Sequence, residues 1–202
     1  MVTDAIWADI NGDNFEDLLL VGEWTPIAIF INTNGRLKNQ TGSFIKNRLS
    51  GWWNAIATDD FNNDGRPDII AGNMGTNTQF KINDTEPAEL FYKDFDKNGS
   101  IDPIFSYYIK GRSYPYVTRD ELLGQLASKR SKYTSFESYA DATINDIFNA
   151  DELIDAKKLE ATHMQTSLFL SQRDGTNEIA QFPDQTQDAP IYAISISDFD
   201  HD

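Results

Sequence analysis

The 202-residue chain has no cysteine and only two histidines. Disulfides, zinc-thiolate sites and thiol nucleophiles are excluded together, and imidazole chemistry has at most His163 and His201 to work with. Positive charge is also scarce: 17 Lys and Arg stand against 32 Asp and Glu, a formal net charge of -15. Nucleic-acid partners, which want basic grooves, are therefore not expected. No apolar run approaches the length of a membrane span, and Met1 is not followed by a signal peptide. No serine lies in a nucleophile-elbow pattern.

What the chain does have is acid at regular spacing. Asp60, Asn62, Asp64 and Asp68 occupy positions 1, 3, 5 and 9 of a loop with Gly65 at position 6, and the apolar run Ile69-Ile70-Ala71 follows. A hard cation such as Ca²⁺ takes about six to eight oxygens in forgiving geometry, so alternate residues of a tight loop can all point inward. Glycine at position 6 permits the sharp, left-handed bend.

The spacing recurs in Asp9, Asn11, Asp13 and Asp17, and again in Asp94, Asp96, Asn98 and Asp102. A fourth copy opens with Asp198, Asp200 and Asp202, where the sequence stops. Each complete loop holds three Asp and the fourth holds three more, so twelve of the 32 acids sit at proposed cation sites. An EF-hand would need a bidentate acid at position 12 and helices on both flanks. Leu20, Ala71 and Phe105 stand there instead, and the flanks are strand-like. The loops could also be Asp/Asn/Gly hairpin turns that bind nothing, a reading that spacing kept three times argues against.

Four strand-loop-strand units make a repeat architecture. The expected fold is mostly β, a partial propeller of about three four-stranded antiparallel blades. Residues 1–50 are expected to form blade 1, with 44–49 as its fourth strand; 51–86 form blade 2, and 87–190 blade 3. Residues 191–202 would begin a truncated next blade. Trp52 and Trp53 should face opposite sides of a strand, one of them in the core. Within blade 3 the pattern changes, and Thr118/Glu121, Thr134/Glu137 and Asn149/Glu152 look like helix starts. This predicts a helical insertion over 118–157, between the second and third strands of that blade. Tyr107, Tyr108, Tyr114, Tyr116, Tyr133 and Tyr139 lie in or beside it, either sealing it onto the blade or offering a recognition surface.

The stretch Asp60-Phe61-Asn62-Asn63-Asp64-Gly65-Arg66-Pro67-Asp68-Ile69-Ile70-Ala71-Gly72 resembles the FG-GAP/VCBS repeat of integrin-α-like β-propellers. Gly51-Trp52-Trp53-Asn54, the segment 94–100 and the segment 114–121 resemble the bacterial VCBS-repeat proteins often joined to an ASPIC/UnbV domain. The resemblance implies Ca²⁺ at two to three sites. Its ligands would be Asp9, Asn11, Asp13 and Asp17; Asp60, Asn62, Asp64 and Asp68; and Asp94, Asp96, Asn98 and Asp102. The backbone carbonyls of Phe15, Arg66 and Ser100 would add position 7. The first loop departs from the pattern, with Gly12 at position 4 and Asn14 at position 6, which predicts a weaker site. The site at Asp198, Asp200 and Asp202 lacks its position 9 and should be empty or disordered.

Sites of weak affinity fill where calcium is plentiful, which favours the periplasm, outer surface or exterior. The expected role is an extracytoplasmic binding scaffold for a protein or carbohydrate, with no catalytic residues of its own. The alternative is part of a propeller-based hydrolase or lyase whose active residues lie partly elsewhere. Three and a fraction blades cannot close a ring of four to eight. The chain is thus expected to be a piece of a longer propeller, with self-association through its open faces possible.

Overall fold

The structure is a computed structural model that describes residues 1–180 and 182–198. The chain is mostly β and divides into two compact units, one of residues 1–79 with 163 onward and one of residues 80–162. Asp200 and Asp202 of the fourth repeat lie outside the described residues, and residues 191–198 form no strand.

The first unit holds two sheets. In one, β1 (Val2–Ala8), β2 (Asp17–Pro26), β3 (Ala28–Thr33) and β4 (Arg36–Asn39) run in sequential antiparallel order. The short β5 (Ser50–Trp52) pairs with the far end of β2. The fourth strand is thus 36–39 and not the expected 44–49. Residues Thr41–Phe44 form a single helical turn, α1, because Thr41 Oγ1 accepts the Ile29 N–H at 2.9 Å and draws the chain off the sheet edge.

The second sheet is built from β6 (Ala55–Asp59), β7 (Asp68–Gly72), β12 (Ser167–Ser171) and β13 (Asn177–Ala180), in the spatial order β13-β12-β7-β6. This redraws the expected boundaries at 51–86 and 87–190. The outer half of the second blade comes from residues 167–180, and 80–162 lies in sequence between its two halves. The physical reason is non-local: Phe169 and Ile69 pair across β12 and β7, and both are fully buried. All five residues of β7 are buried, as suits a strand covered on both faces.

The two sheets meet along their first strands, where Thr3 Oγ1 donates to Trp53 O at 2.7 Å and Ile56 N to Asp4 Oδ2 at 2.9 Å. Leu19, Val21, Ile29, Trp53, Ile69 and Phe169 form the core between them. Trp53 is the core tryptophan, stacked on His163 at 5.5 Å, while Trp52 is half-buried against Trp24.

The second unit has one sheet, ordered β10-β9-β8-β11, from β8 (Ala88–Lys93), β9 (Asp102–Ile109), β10 (Arg112–Pro115) and β11 (Lys157–Ala161). Lys110 and Gly111, both at positive φ, turn β9 into β10. The helices therefore follow the third strand instead of preceding it, and β11 returns to the free edge of β8.

Four short helices make one layer: α2 (Arg119–Gln125), α3 (Phe136–Ala140), α4 (Ile144–Ile147) and α5 (Ala150–Leu153). Thr118/Glu121 and Asn149/Glu152 form capping boxes as expected; the third start is Ser135/Ser138, one residue later than Thr134/Glu137, and Thr143/Asp146 adds a fourth. Each box satisfies helix-end donors that have no partner within the helix. Leu122, Leu126, Ile144, Ile147 and Phe148 pack on Ile104 of β9. Tyr133 and Tyr139 seal this layer by donating to Asp146 O and Val117 O, and burial pushes the Tyr139 hydroxyl up to about 12.

Candidate metal centres

Three hairpins carry the acidic loops, and they close identically. The residue before each loop pairs with its ninth: Ala8 with Asp17, Asp59 with Asp68, Lys93 with Asp102. Turning so tightly requires two left-handed residues per loop. Position 6 has Asn14 at φ 67°, Gly65 at 82° and Gly99 at 93°; position 4 has Gly12 at 76°, Asn63 at 56° and Lys97 at 60°. Gly12 and Asn14 are thus no departure from the pattern. The first loop puts glycine at one left-handed position and asparagine at the other, and the second loop does the reverse.

The side chains at positions 1, 3 and 5 are aimed by their own backbone. Position 1 accepts the N–H of positions 5 and 6: Asp9 from Asp13 and Asn14, Asp60 from Asp64 and Gly65, Asp94 from Asn98 and Gly99, at 2.7 to 3.1 Å. Position 3 accepts from position 5, so Asn11, Asn62 and Asp96 take the N–H of Asp13, Asp64 and Asn98. Position 5 accepts from position 7, so Asp13, Asp64 and Asn98 take the N–H of Phe15, Arg66 and Ser100. Burial alone would raise the Asp60 carboxyl, but the N–H donors of Gly65, Asp64, Asn62 and Asn63 outweigh it and hold it below the ordinary carboxylate range. In the second loop the arrangement thus favours the ionised form of the position-1 acid.

Position 9 is different in kind. Asp17, Asp68 and Asp102 are buried, and each accepts the N–H of loop position 2, from Ile10, Phe61 and Phe95. In the first two loops the other oxygen is also taken, by Asn32 N at 2.7 Å from the end of β3 and by Ser171 N at 2.7 Å from the end of β12. These two aspartates tie three strands. Sequence reasoning read position 9 only as a ligand and missed this tie, because its partner lies 15 residues away in one loop and 103 in the other. The second oxygen of Asp102 has no hydrogen-bond partner among the described residues.

The third loop also differs in its acids, with Asp96 at position 3. Carboxylate oxygens of Asp94, Asp96 and Asp102 all lie within 4.8 Å of one another. Oxygens about 2.4 Å from a shared ion are separated by at most about twice that, so the trio fits one Ca²⁺ sphere. Among the described residues no second trio of acids forms, since Asn11 and Asn62 stand at position 3 where the third loop has Asp96. Asp13 accepts the Asn11 amide at 2.9 Å, as Asp96 accepts the Asn98 amide at 3.1 Å, while Asp64 alone is paired with a guanidinium, that of Arg66, which also reaches Ser171 O.

The third loop is anchored to the helical layer. Phe95 stacks on the buried Phe148 at 4.4 Å, and Lys93 Nζ donates to Glu152 O and Ile154 O at 3.0 and 2.6 Å.

Of the remaining candidates, His163 follows β11 and sits 2.8 Å from the hydroxyl of Ser167, which is 2% exposed. His201 lies outside the described residues.

A family profile described as an FG-GAP-like repeat matches residues 9–71, from the first acidic loop through the strand that leaves the second. The match covers the repeat itself and does not extend to an ASPIC/UnbV domain. No curated protein and no solved structure matches the chain.

Proposed function

We propose that this chain, with its FG-GAP-like repeat, is a calcium-stabilised scaffold whose principal ion site is the third loop. The observation that carries the reading is the convergence of Asp94, Asp96 and Asp102 while one Asp102 oxygen is unclaimed. Asn98 Oδ1 and the Ser100 carbonyl lie on the same loop to complete the oxygen set. Ca²⁺ there would offset two of the three carboxylate charges and lock β8 to β9.

The first and second loops are the lower-affinity members, since both oxygens of Asp17 and of Asp68 are already taken and Arg66 pairs with Asp64 in the second. In those loops Asp9, Asn11, Asp13 and Asp17, with the Phe15 carbonyl, and Asp60, Asn62, Asp64 and Asp68, with the Arg66 carbonyl, would serve as ligands. Weak sites of this type suit a calcium-rich, extracytoplasmic setting, and a scaffold there would hold a protein or carbohydrate partner. Self-association belongs to the same reading, since three sheets are fewer than a closed propeller needs.

Terbium titration tests the reading. Tb³⁺ luminescence sensitised by Tyr92 should saturate at the third loop, be displaced by Ca²⁺, and be lost in Asp94→Asn and Asp102→Asn. Calorimetry showing no heat with millimolar Ca²⁺, and no Tb³⁺ signal, would refute it.

A further inference from the structure

We propose that the first unit carries a binding site for a small organic carboxylate with an apolar body, in the cavity beneath the segment that leads from β4 to β5. The cavity has a volume of about 350 Å³, at the lower end of the range of roughly 300 to 1,000 Å³ typical of small-molecule sites. Its floor is apolar and fixed: Ile27, Ile45 and Phe169 are buried members of the core, with Leu49 packed beside them.

The rim chooses the charge. Lys46 and Arg48 line the cavity, and none of its lining residues is acidic, in a chain where acids outnumber bases 32 to 17. Neither cation makes an ion pair among the described residues. The neutral rim groups also lean toward donation. Asn39 Oδ1 is filled by the N–H and hydroxyl of Thr41, which leaves its amide N–H₂ as the part still to be matched. Thr41 Oγ1 in turn already accepts from Ile29 N. Asn47 adds a second side-chain amide. A rim of donors above an apolar floor matches a ligand that brings acceptors at one end and hydrocarbon at the other.

Lys46 also borders a neighbouring groove that contains Asp64 and Asp174, and its charge contributes, after the hydroxyl and N–H of Thr176, to holding the Asp174 carboxyl low. Arg48 does not line that groove, so it is the cation committed to the carboxylate.

Gly42 supplies the means of testing this. It lines the cavity within α1, and a Cβ built on it would meet nothing within 4 Å. A Cβ is therefore accommodated there, and a large side chain at this lining position competes with a ligand for the space.

The probe is octanoate, with 1-octanol and acetate as controls, titrated in chelator so that calcium plays no part, and followed by amide chemical shifts. Octanoate should bind one to one, with shifts centred on residues 27–28 and 39–49. Octanol should bind about tenfold more weakly, since it lacks the charge-assisted bonds, and acetate should not bind. Arg48→Gln should weaken octanoate by about tenfold and leave octanol unchanged. Gly42→Phe should abolish octanoate binding with the melting temperature preserved. Octanol binding as tightly as octanoate, octanoate binding that survives Gly42→Phe, or no binding at about 10 mM, weaker than any specific site would show, would each overturn the proposal.

Discussion

Asp68→Asn separates the architectural role of position 9 from its ionic one. The side chain is fully buried, and its two oxygens accept the Ser171 and Phe61 N–H groups at 2.7 and 3.0 Å. Asparagine keeps the shape but sets an amide N–H₂ against one of those donors. A hydrogen bond to a charged group contributes about 1.5 to 3 kcal/mol, and a buried donor left unmatched costs about 1 to 3 kcal/mol. Partial relaxation reduces the combined loss to roughly 2 to 4 kcal/mol. All four tryptophans, at 7, 24, 52 and 53, belong to the first unit, so urea unfolding followed by tryptophan fluorescence reads this unit selectively. The loss should be present in full in chelator. Asp102→Asn is the counterpart: asparagine still offers Phe95 N an acceptor, so in chelator hydrogen-exchange protection of 88–109 should barely change. With Ca²⁺ at about a hundred times its dissociation constant the native protein gains about 2.7 kcal/mol, and the variant should forfeit most of it. An Asp68→Asn protein within about 0.5 kcal/mol of wild type in chelator, below the expected loss of even one such bond, would refute the assignment.

Further outcomes are expected. Lys97, exposed and at φ 60°, holds the left-handed position that Asn63 fills in the second loop, so Lys97→Asn should stabilise the second unit by about 1 kcal/mol in denaturant unfolding. Phe95→Ala should remove the stack on Phe148 and cost about 2 to 3 kcal/mol, read as lost exchange protection across 143–153 with β8 and β9 still protected. The helical layer should be acid-sensitive. The Glu121 and Asp146 carboxyls are held low mainly by Thr118 and Thr143; for Glu152, burial raises the value but is outweighed by Lys129 and Asn149. Depressed carboxylates stabilise above their unfolded-state range and lose that contribution as pH falls through the folded values, so helical circular dichroism should hold to the ordinary carboxylate range and decline below it.

The loops were legible in the sequence because their chemistry is local: the side chains at positions 1, 3 and 5 reach backbone no more than five residues away, and the spacing records that geometry. Helix starts at Thr118 and Asn149 were readable for the same reason, since a capping box closes over three residues. Thr143/Asp146 carried an equivalent signal with Asp in place of Glu and went unread. The alternate left-handed position was visible in Gly12 and Asn63, but Lys97 concealed it in the third loop. The partner of β7 was not legible. Nothing near residue 70 specifies Phe169 over the closer strands of 88–109; only burial on both faces and the Asp68–Ser171 bond do, and neither has a sequence period.

That bond has a consequence for biosynthesis. Ser171 lies 103 residues beyond Asp68, so on a ribosome adding about 5 to 20 residues per second the outer edge of β7 waits roughly 5 to 20 s for its mate. Throughout that interval Ile69 and Ile70 present an unpaired ribbon to whatever strand arrives first. The stretch 80–162, a compact unit in the finished fold, emerges during the wait, and its collapse would shorten the tether that β12 must search. The nascent polypeptide must finish its interior parenthesis before it can complete the sentence begun at β6.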